Sequence, residues 1–315
     1  MSERDPEVTV IIPTYNREIF IERAIQSVLD QTFQNFEIIV VDDASTDNTE
    51  DKIERLQAKD ARILFFRHEK NLGAPAARNT GIRNAKGYYL TFLDSDDQML
   101  RHKLESDTNI LNSHQELIIC TTGYTFVSSQ TGEVFKRANF QEQIIDQKAA
   151  LRGNRVMTND FTVVKDAALK INGFNESQPS RDDYDFWIRI TSLGKGIQVP
   201  LYTINKYIMH DDQISHGVEK KLKGTKILFA KHRELFESDP LAHSIILGRI
   251  GLMHLLNLEN EALGYYSKSF RVDPRFLKKI KFGFIIGFLK LFRRRGISIL
   301  NKYYRMRHPN SYLLW

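Results

Sequence analysis

Leu90–Met99, LTFLDSDDQM, sets an apolar run directly against four polar residues, three of them aspartates. Leu90, Thr91, Phe92 and Leu93 read as the end of a buried strand, and Asp94, Ser95, Asp96 and Asp97 follow at once. Carboxylates packed this closely raise one another's energy when ionised. The arrangement therefore calls for a positive partner. A hard divalent cation is one answer, because Mg²⁺ or Mn²⁺ takes one or two protein carboxylates and fills its other positions with water and substrate phosphates. The plain alternative is a polar turn with Asx-type hydrogen bonds.

Upstream, the pattern alternates between strand and helix. Val8–Thr14 (VTVIIPT), Phe36–Asp43 (FEIIVVDD), Arg62–His68 (RILFFRH) and Tyr88–Asp94 (YYLTFLD) are short apolar runs of strand type. Between them, Arg17–Gln31, Asn48–Ala58 and Ala74–Ala85 carry helical spacing, and Gly87 follows the last. Such an order predicts an α/β fold, a mostly parallel sheet flanked by helices. Ligands of these sheets bind beyond the carboxyl ends of the strands. The polar groups sit there: Thr14-Tyr15-Asn16, Asp42-Asp43 and Asp94–Asp97. Neither a G-x-G-x-x-G nor a G-x-x-x-x-G-K-[ST] loop follows the first strand, so a dinucleotide fold and a P-loop are unsupported.

Composition narrows the class. The chain has 315 residues, 42% hydrophobic and 27% charged, enough for one large or two small domains. Its one cysteine, Cys120, allows no internal disulfide and suits a reducing compartment. MSERDPEVTV lacks a signal-peptide core, and no apolar run reaches the roughly 18 residues of a membrane-spanning helix. The net charge of +6 is unevenly placed. Residues 275–315 hold eleven Lys and Arg and no acid, so the rest of the chain is net acidic, and no nucleic-acid partner is expected.

VIIPTYNR, DQTFQNFEIIVVDDASTDNT and NLGAPAARNTGIRNAKGYYLTFLDSDD together resemble the GT-A (Rossmann-like) nucleotide-sugar domain of family 2 glycosyltransferases. INGFNES and SRDDYDFWIRITSLG extend the likeness more weakly. The resemblance implies an inverting, metal-dependent transferase of hexosyltransferase type using Mn²⁺ or Mg²⁺. Pro13, Thr14, Tyr15, Asp42 and Asp43 would line the nucleotide pocket, with Asp43 accepting from the base, and Arg78 would lie near the diphosphate. Asp94, Ser95 and Asp96 match the DxD motif; Asp94, Asp96 and Asp97, with His210, are the candidate metal ligands. Asp183 aligns with the catalytic base. Asp182 replaces the usual Glu before it, and capping of the following helix is the alternative role for both. Asn172-Gly173-Phe174 reads as a turn that could touch donor or acceptor.

The expected organisation is a donor half at 1–98, an acceptor half at 99–218, a helical extension at 219–274 and a basic amphipathic tail at 275–315. Leu247–Pro274 resembles one tetratricopeptide-type helix pair, too few for an array, and a homo-oligomer contact is one role open to it. KKIKFGFIIGFLKLFRRRG, Lys278–Gly296, has an apolar centre flanked by bases, which suits a helix lying on an anionic membrane; burial against the body is the alternative. No Gln-x-x-Arg-Trp motif of processive synthases is present, which favours addition of one or a few sugars. The expected donor is a nucleotide-sugar, a UDP-sugar first. The expected acceptor is a glycan or lipid-linked sugar, in cell-surface polysaccharide assembly at the cytoplasmic face of the membrane. A nucleotidyltransferase lacks its glycine- and lysine-bearing loop here; a non-catalytic sugar-nucleotide sensor is the reading from another class.

Overall fold

The computed structural model describes residues 5–137, 141–153, 157–208, 217–257, 259, 261–273 and 275. The chain divides into two compact units. One comprises 1–147, 156–176 and 183–213; the other comprises 148–155, 177–182 and 214–315.

The first unit is built on β1 (Val8–Thr14), β2 (Phe36–Asp42), β3 (Ile63–Arg67) and β4 (Tyr89–Phe92), all parallel in the order β3-β2-β1-β4. Every residue of β1 and β2 is buried, as expected of strands covered on both faces. The two-residue alternation of a strand sorts their side chains. Val8, Val10, Ile12, Ile38 and Val40 join one core with α1 (Ile21–Leu29), whereas Ile39 and Val41 pack with Ala77 of α3 (Ala74–Asn84) on the other face. Gly81 lets α3 press on the sheet: a Cβ there would stand 2.4 Å from Ile11 Cγ2. The helix α2 (Thr49–Gln57) links β2 to β3.

Beyond β4 the sheet becomes mixed. The continuing elements are β5 (Gln98–Met99), α4 (Lys103–Ser113), β6 (Leu117–Ser128), β7 (Val134–Arg137) and β8 (Gln143–Ile145). A 3-10 turn (Thr158–Asp160), β9 (Phe161–Val164), α6 (Lys165–Lys170), α7 (Asp182–Ile190) and β10 (Lys195–Ile208) complete them; α5 (Gln147–Arg152), which precedes the 3-10 turn in the chain, falls from residue 148 on in the second unit. β9 runs antiparallel to both β4 and β6, and β10 lies parallel to β6. One consequence positions the site. The ends of β1, β2, β4, β6 and β10 and the start of β9 all lie at one edge of the sheet.

The second unit is helical: α8 (Val218–Lys231), α9 (Arg233–Ser238), α10 (Pro240–Leu256) and α11 (Ala262–Val272). Asp239 caps α10, accepting from the Leu241 and Ala242 amides at 3.0 and 3.1 Å, and also takes Arg152 at 2.9 Å. Ser244 and Ser269 tie α10 to α11. Among the described residues no helix is long and apolar enough to cross a membrane. The basic tail, apart from Arg275, lies outside the described residues.

Gly81→Ala forces a methyl group into Ile11 and is expected to cost about 1–3 kcal/mol, as overpacking does. Gly264→Ala, in α11 with nothing within 4 Å of the new methyl group, is expected to be neutral or stabilising by up to about 1 kcal/mol. Urea unfolding midpoints of the two variants check both.

Candidate active site

The aspartates of the opening stretch form a tight turn beyond β4. The Asp97 amide donates to the Asp94 carbonyl at 3.0 Å, and the Asp94 amide donates to Asn159 Oδ1 at 2.9 Å. Directly after the turn, β5 pairs with β10, Asn205 opposite Gln98. That pairing brings Lys206 and Tyr207 against Asp97.

Asp97 is turned inward and only 1% exposed. Its Oδ1 accepts the Tyr207 amide at 2.9 Å; its Oδ2 accepts Lys206 Nζ at 3.0 Å and Asn159 Nδ2. Burial, with Asp96 and Asp94 adding to it, pushes the Asp97 carboxyl up to about 7 against the pull of Lys206. Burial alone would lower the Lys206 amine, but Asp97, Asp94 and Asp96 outweigh it and hold it protonated. The positive partner that the sequence called for is thus, in part, a lysine of the chain.

Asp94 and Asp96 stay at the surface of the turn, their side chains 29% and 20% exposed. Asp94 Oδ1 takes Arg78 Nη2 at 2.9 Å, and its Oδ2 lies 3.6 Å from Lys206 Nζ. Asp96 Oδ2 lies 3.9 Å from Arg17 Nε, and the Asp96 carbonyl accepts from Arg23, which stacks on Tyr207 at 3.7 Å. Ser95 between them is buried. Two partly exposed carboxylates on one short turn fit a hard cation that shares its other positions with phosphate oxygens. Between Asp96 and Asp97, which the sequence left open, Asp96 is the one presented outward. His210 falls outside the described residues.

The nucleotide-side candidates cluster at the ends of β1 and β2. Thr14 is buried and Tyr15 is 39% exposed. Asp42 is fully buried and holds the local loop: both its oxygens accept the Ser45 amide at 3.2 Å, and Ser45 Oγ bonds it too. Asp43 accepts His68 Nδ1 at 2.7 Å, the Leu72 amide at 2.9 Å and the Gly73 amide at 2.6 Å. His68 Nε2 meets Thr80 Oγ1 at 2.9 Å. Asp43 therefore fixes the entry to α3, the helix that carries Arg78. Gly73 takes φ 91 there, a conformation that glycine adopts without strain.

Asp183 is the second residue of α7 and accepts the amide of the next residue, Tyr184, at 2.7 Å. Its charge also reaches the strand edge. Burial raises the Asp160 carboxyl well above the usual range, with Asp183 adding to it and Lys103 and Lys206 opposing. Burial likewise raises the Tyr124 hydroxyl, with Asp160 and Asp183 adding. Asn172-Gly173-Phe174 is a turn, as read, with φ 58 and 63 at its first two residues. It is packed into the fold. Asn79 bonds the Phe174 carbonyl at 2.9 Å and its amide at 2.7 Å, Arg189 takes the Gly173 carbonyl at 2.8 Å, and Phe174 stacks on Phe186.

Lys206, Asn159, Asp160 and Arg23 were not legible as site residues. A lysine within a strand reads as a solvated position, and only its place opposite the acidic turn gives it away. Lys206→Met leaves Asp97 buried without its counter-ion, a change that costs about 3–5 kcal/mol. Asp97 has a raised folded pKa, so its burial is tolerated at low pH and becomes costly as pH rises through about 7. Removing Lys206, which holds the Asp97 carboxyl down, raises it further, so the deficit of Lys206→Met against the parent is expected to be small at pH 5 and to grow as pH rises above about 7, read by urea unfolding with chelator present.

Comparison with known proteins gives the family. The family model described as Glycosyl transferase family 2 matches residues 9–170. TuaG of Bacillus subtilis, a glycosyltransferase named for teichuronic acid biosynthesis, is 39% identical over 236 residues, 75% of this chain and 90% of TuaG. WfgD of Escherichia coli, named a UDP-Glc:α-D-GlcNAc-diphosphoundecaprenol β-1,3-glucosyltransferase, is 31% identical over 221 residues, 69% of this chain and 82% of WfgD. An uncharacterized glycosyltransferase of Rickettsia conorii is 37% identical over 290 residues, but this chain spans only 46% of it. Among solved structures, TarS of S. aureus in complex with UDP-GlcNAc superposes with TM-score 0.69 over 95% of this chain and 92% of that one, at 18% identity, a likeness of fold. Matched by the family model over half its length and by TuaG over nearly all of TuaG, the chain belongs to glycosyl transferase family 2.

Proposed function

We propose that this chain transfers a sugar, with inversion, from a nucleoside-diphosphate donor to a hydroxyl of a glycan or lipid-linked acceptor in cell-surface polysaccharide assembly. The observation that carries the reading is the outward presentation of Asp94 and Asp96, beside Arg78, on the turn beyond β4. TuaG supports the polysaccharide setting, WfgD a lipid-linked acceptor, and WfgD and TarS a UDP-sugar.

In this reading Asp94 and Asp96 hold Mn²⁺ or Mg²⁺, which when bound offsets the charge of the diphosphate. Arg78 stands by the diphosphate, where a guanidinium suits phosphate geometry. Tyr15 and Thr14 flank the base, and Asp43 shapes the pocket wall. Asp183 takes the proton of the acceptor hydroxyl as its oxygen bonds to the anomeric carbon. The bond from that carbon to the diphosphate oxygen breaks, and the nucleoside diphosphate leaves with the bonding pair. Residues 1–98 supply the donor half and 99–218 the acceptor half. The tail at 275–315 holds the enzyme at the cytoplasmic face of an anionic membrane.

Two measurements test the reading. In a thermal-shift panel of UDP, GDP, dTDP and CMP, UDP with Mn²⁺ is expected to raise the unfolding temperature, since a ligand of the native state stabilises by mass action. Asp94→Asn and Asp96→Asn are expected to lose that shift. Asp183→Asn is expected to keep it and to lose turnover about 10²–10⁴-fold, as removal of a general base does. Normal turnover by Asp183→Asn would sink the base assignment, and a shift that ignores Mn²⁺ would sink the metal role.

A further inference from the structure

Asp43, just past the end of β2, is clamped by donors. Its Oδ1 accepts His68 Nδ1 at 2.7 Å and the Leu72 amide at 2.9 Å; its Oδ2 accepts the Gly73 amide at 2.6 Å. A carboxylate offers about four lone-pair positions, two on each oxygen. Oδ1 is therefore full, and a single position remains, on Oδ2. His68 is fixed at its other end as well. Its Nε2 meets Thr80 Oγ1 at 2.9 Å, and Thr80 Oγ1 also accepts Arg83 Nη2 at 2.9 Å, which leaves the hydroxyl proton for the ring. An ionised Asp43 can only accept, so His68 Nδ1 carries a proton and donates it. The His68 amide donates to the Asp42 carbonyl at 2.9 Å, so ring and main chain are both anchored.

A second observation points to a ligand at these strand ends. Thr14, the last residue of β1, is joined to Asp43 directly: the Asp43 amide donates to the Thr14 carbonyl at 2.9 Å. The Thr14 side chain is buried, yet its Oγ1 has no hydrogen-bond partner among the described residues. A buried hydroxyl left unpaired is uncommon, and a polar atom from outside satisfies it. One open acceptor and one unpaired hydroxyl on neighbouring strand ends suit the polar edge of a nucleobase. Bases differ along that edge. Uracil and thymine carry an imide N–H on the ring nitrogen, whereas cytosine presents a lone pair there and an amine on the adjacent carbon. A carboxylate held still attracts the imide and repels the cytosine nitrogen, which is selection by an unfavourable contact. A carboxylate free to turn can follow the cytosine amine instead.

We propose that His68 is a positioning residue for the donor base. Seated on Thr80, it fixes Asp43 as an acceptor with one open place, so that the site takes an imide base, uracil or thymine, and rejects cytosine. The proposal rests on the reading of the chain as a nucleotide-sugar transferase whose base lies at the ends of β1 and β2. It deepens that reading by naming a residue that sets base preference without touching the base.

Dissociation constants of UDP, CDP and GDP, measured calorimetrically on the full chain with Mn²⁺ at saturation, test it. The parent is expected to prefer UDP over CDP by about tenfold or more, the scale of one hydrogen bond to a charged group. His68→Ala is expected to remove most of that preference, chiefly by weakening UDP. Thr80→Val, which unseats the ring and keeps the side-chain volume, is expected to do the same in part, and it carries the test if His68→Ala does not fold. His68→Asn sets an amide N–H near the place of Nδ1 and is expected to restore the preference. A His68 that merely supports the fold would weaken UDP and CDP alike. An unmoved ratio in a folded His68→Ala or Thr80→Val, or a parent that binds UDP and CDP equally, overturns the proposal and leaves the donor reading intact. Binding of GDP alone does the same. Binding of none of the three to the parent strikes the donor reading, and the proposal falls with it.

Discussion

The buried pair of Asp97 and Lys206 is the constraint on which the site depends. Three carboxylates in four residues at a strand end would repel one another into disorder without a fixed cation. Lys206 supplies it from β10, 3.0 Å from Asp97 and 3.6 Å from Asp94. Asn159 and the Tyr207 amide complete the inward side of Asp97, and Asn159 also holds the Asp94 amide. With one acid locked inward, the other two can only face outward. A buried ion pair is weak evidence of net stability. Its worth here is conformational, since it decides which carboxylates a ligand meets.

Topology makes this possible. β9 runs against its neighbours, so the turn that precedes it, rather than the loop that follows it, arrives at the ligand edge. That turn carries Asn159 and Asp160. β10 then runs parallel to β6 and ends at the same edge, bringing Lys206. The parallel part and the mixed part of the sheet therefore meet through side chains of the acidic turn itself.

The first hundred residues were legible because their signals are local. Continuous apolar runs, helical spacing and polar strand ends gave β1 to β4 and α1 to α3 within a few residues of their observed bounds. The mixed second half was not, because an apolar run does not encode strand direction and the pairing is long-range. The same distinction holds in the site. Asp94, Asp96 and Asp183 are visible as acids at element boundaries. Lys206 lies over a hundred residues from its partner, and Asp42, an acid in the same pattern as Asp43, proves to brace Ser45. Sequence patterns name acids well and apportion their tasks poorly, since orientation is set by what lies across the fold.

Anomalous diffraction at the manganese edge, from crystals of this chain grown with UDP and Mn²⁺, tests the central claim most directly. The account predicts one peak bonded to an outward carboxylate of Asp94 or Asp96 and to the diphosphate, with Asp97 still on Lys206. A peak bonded to Asp97, with Lys206 displaced from it, would contradict the account.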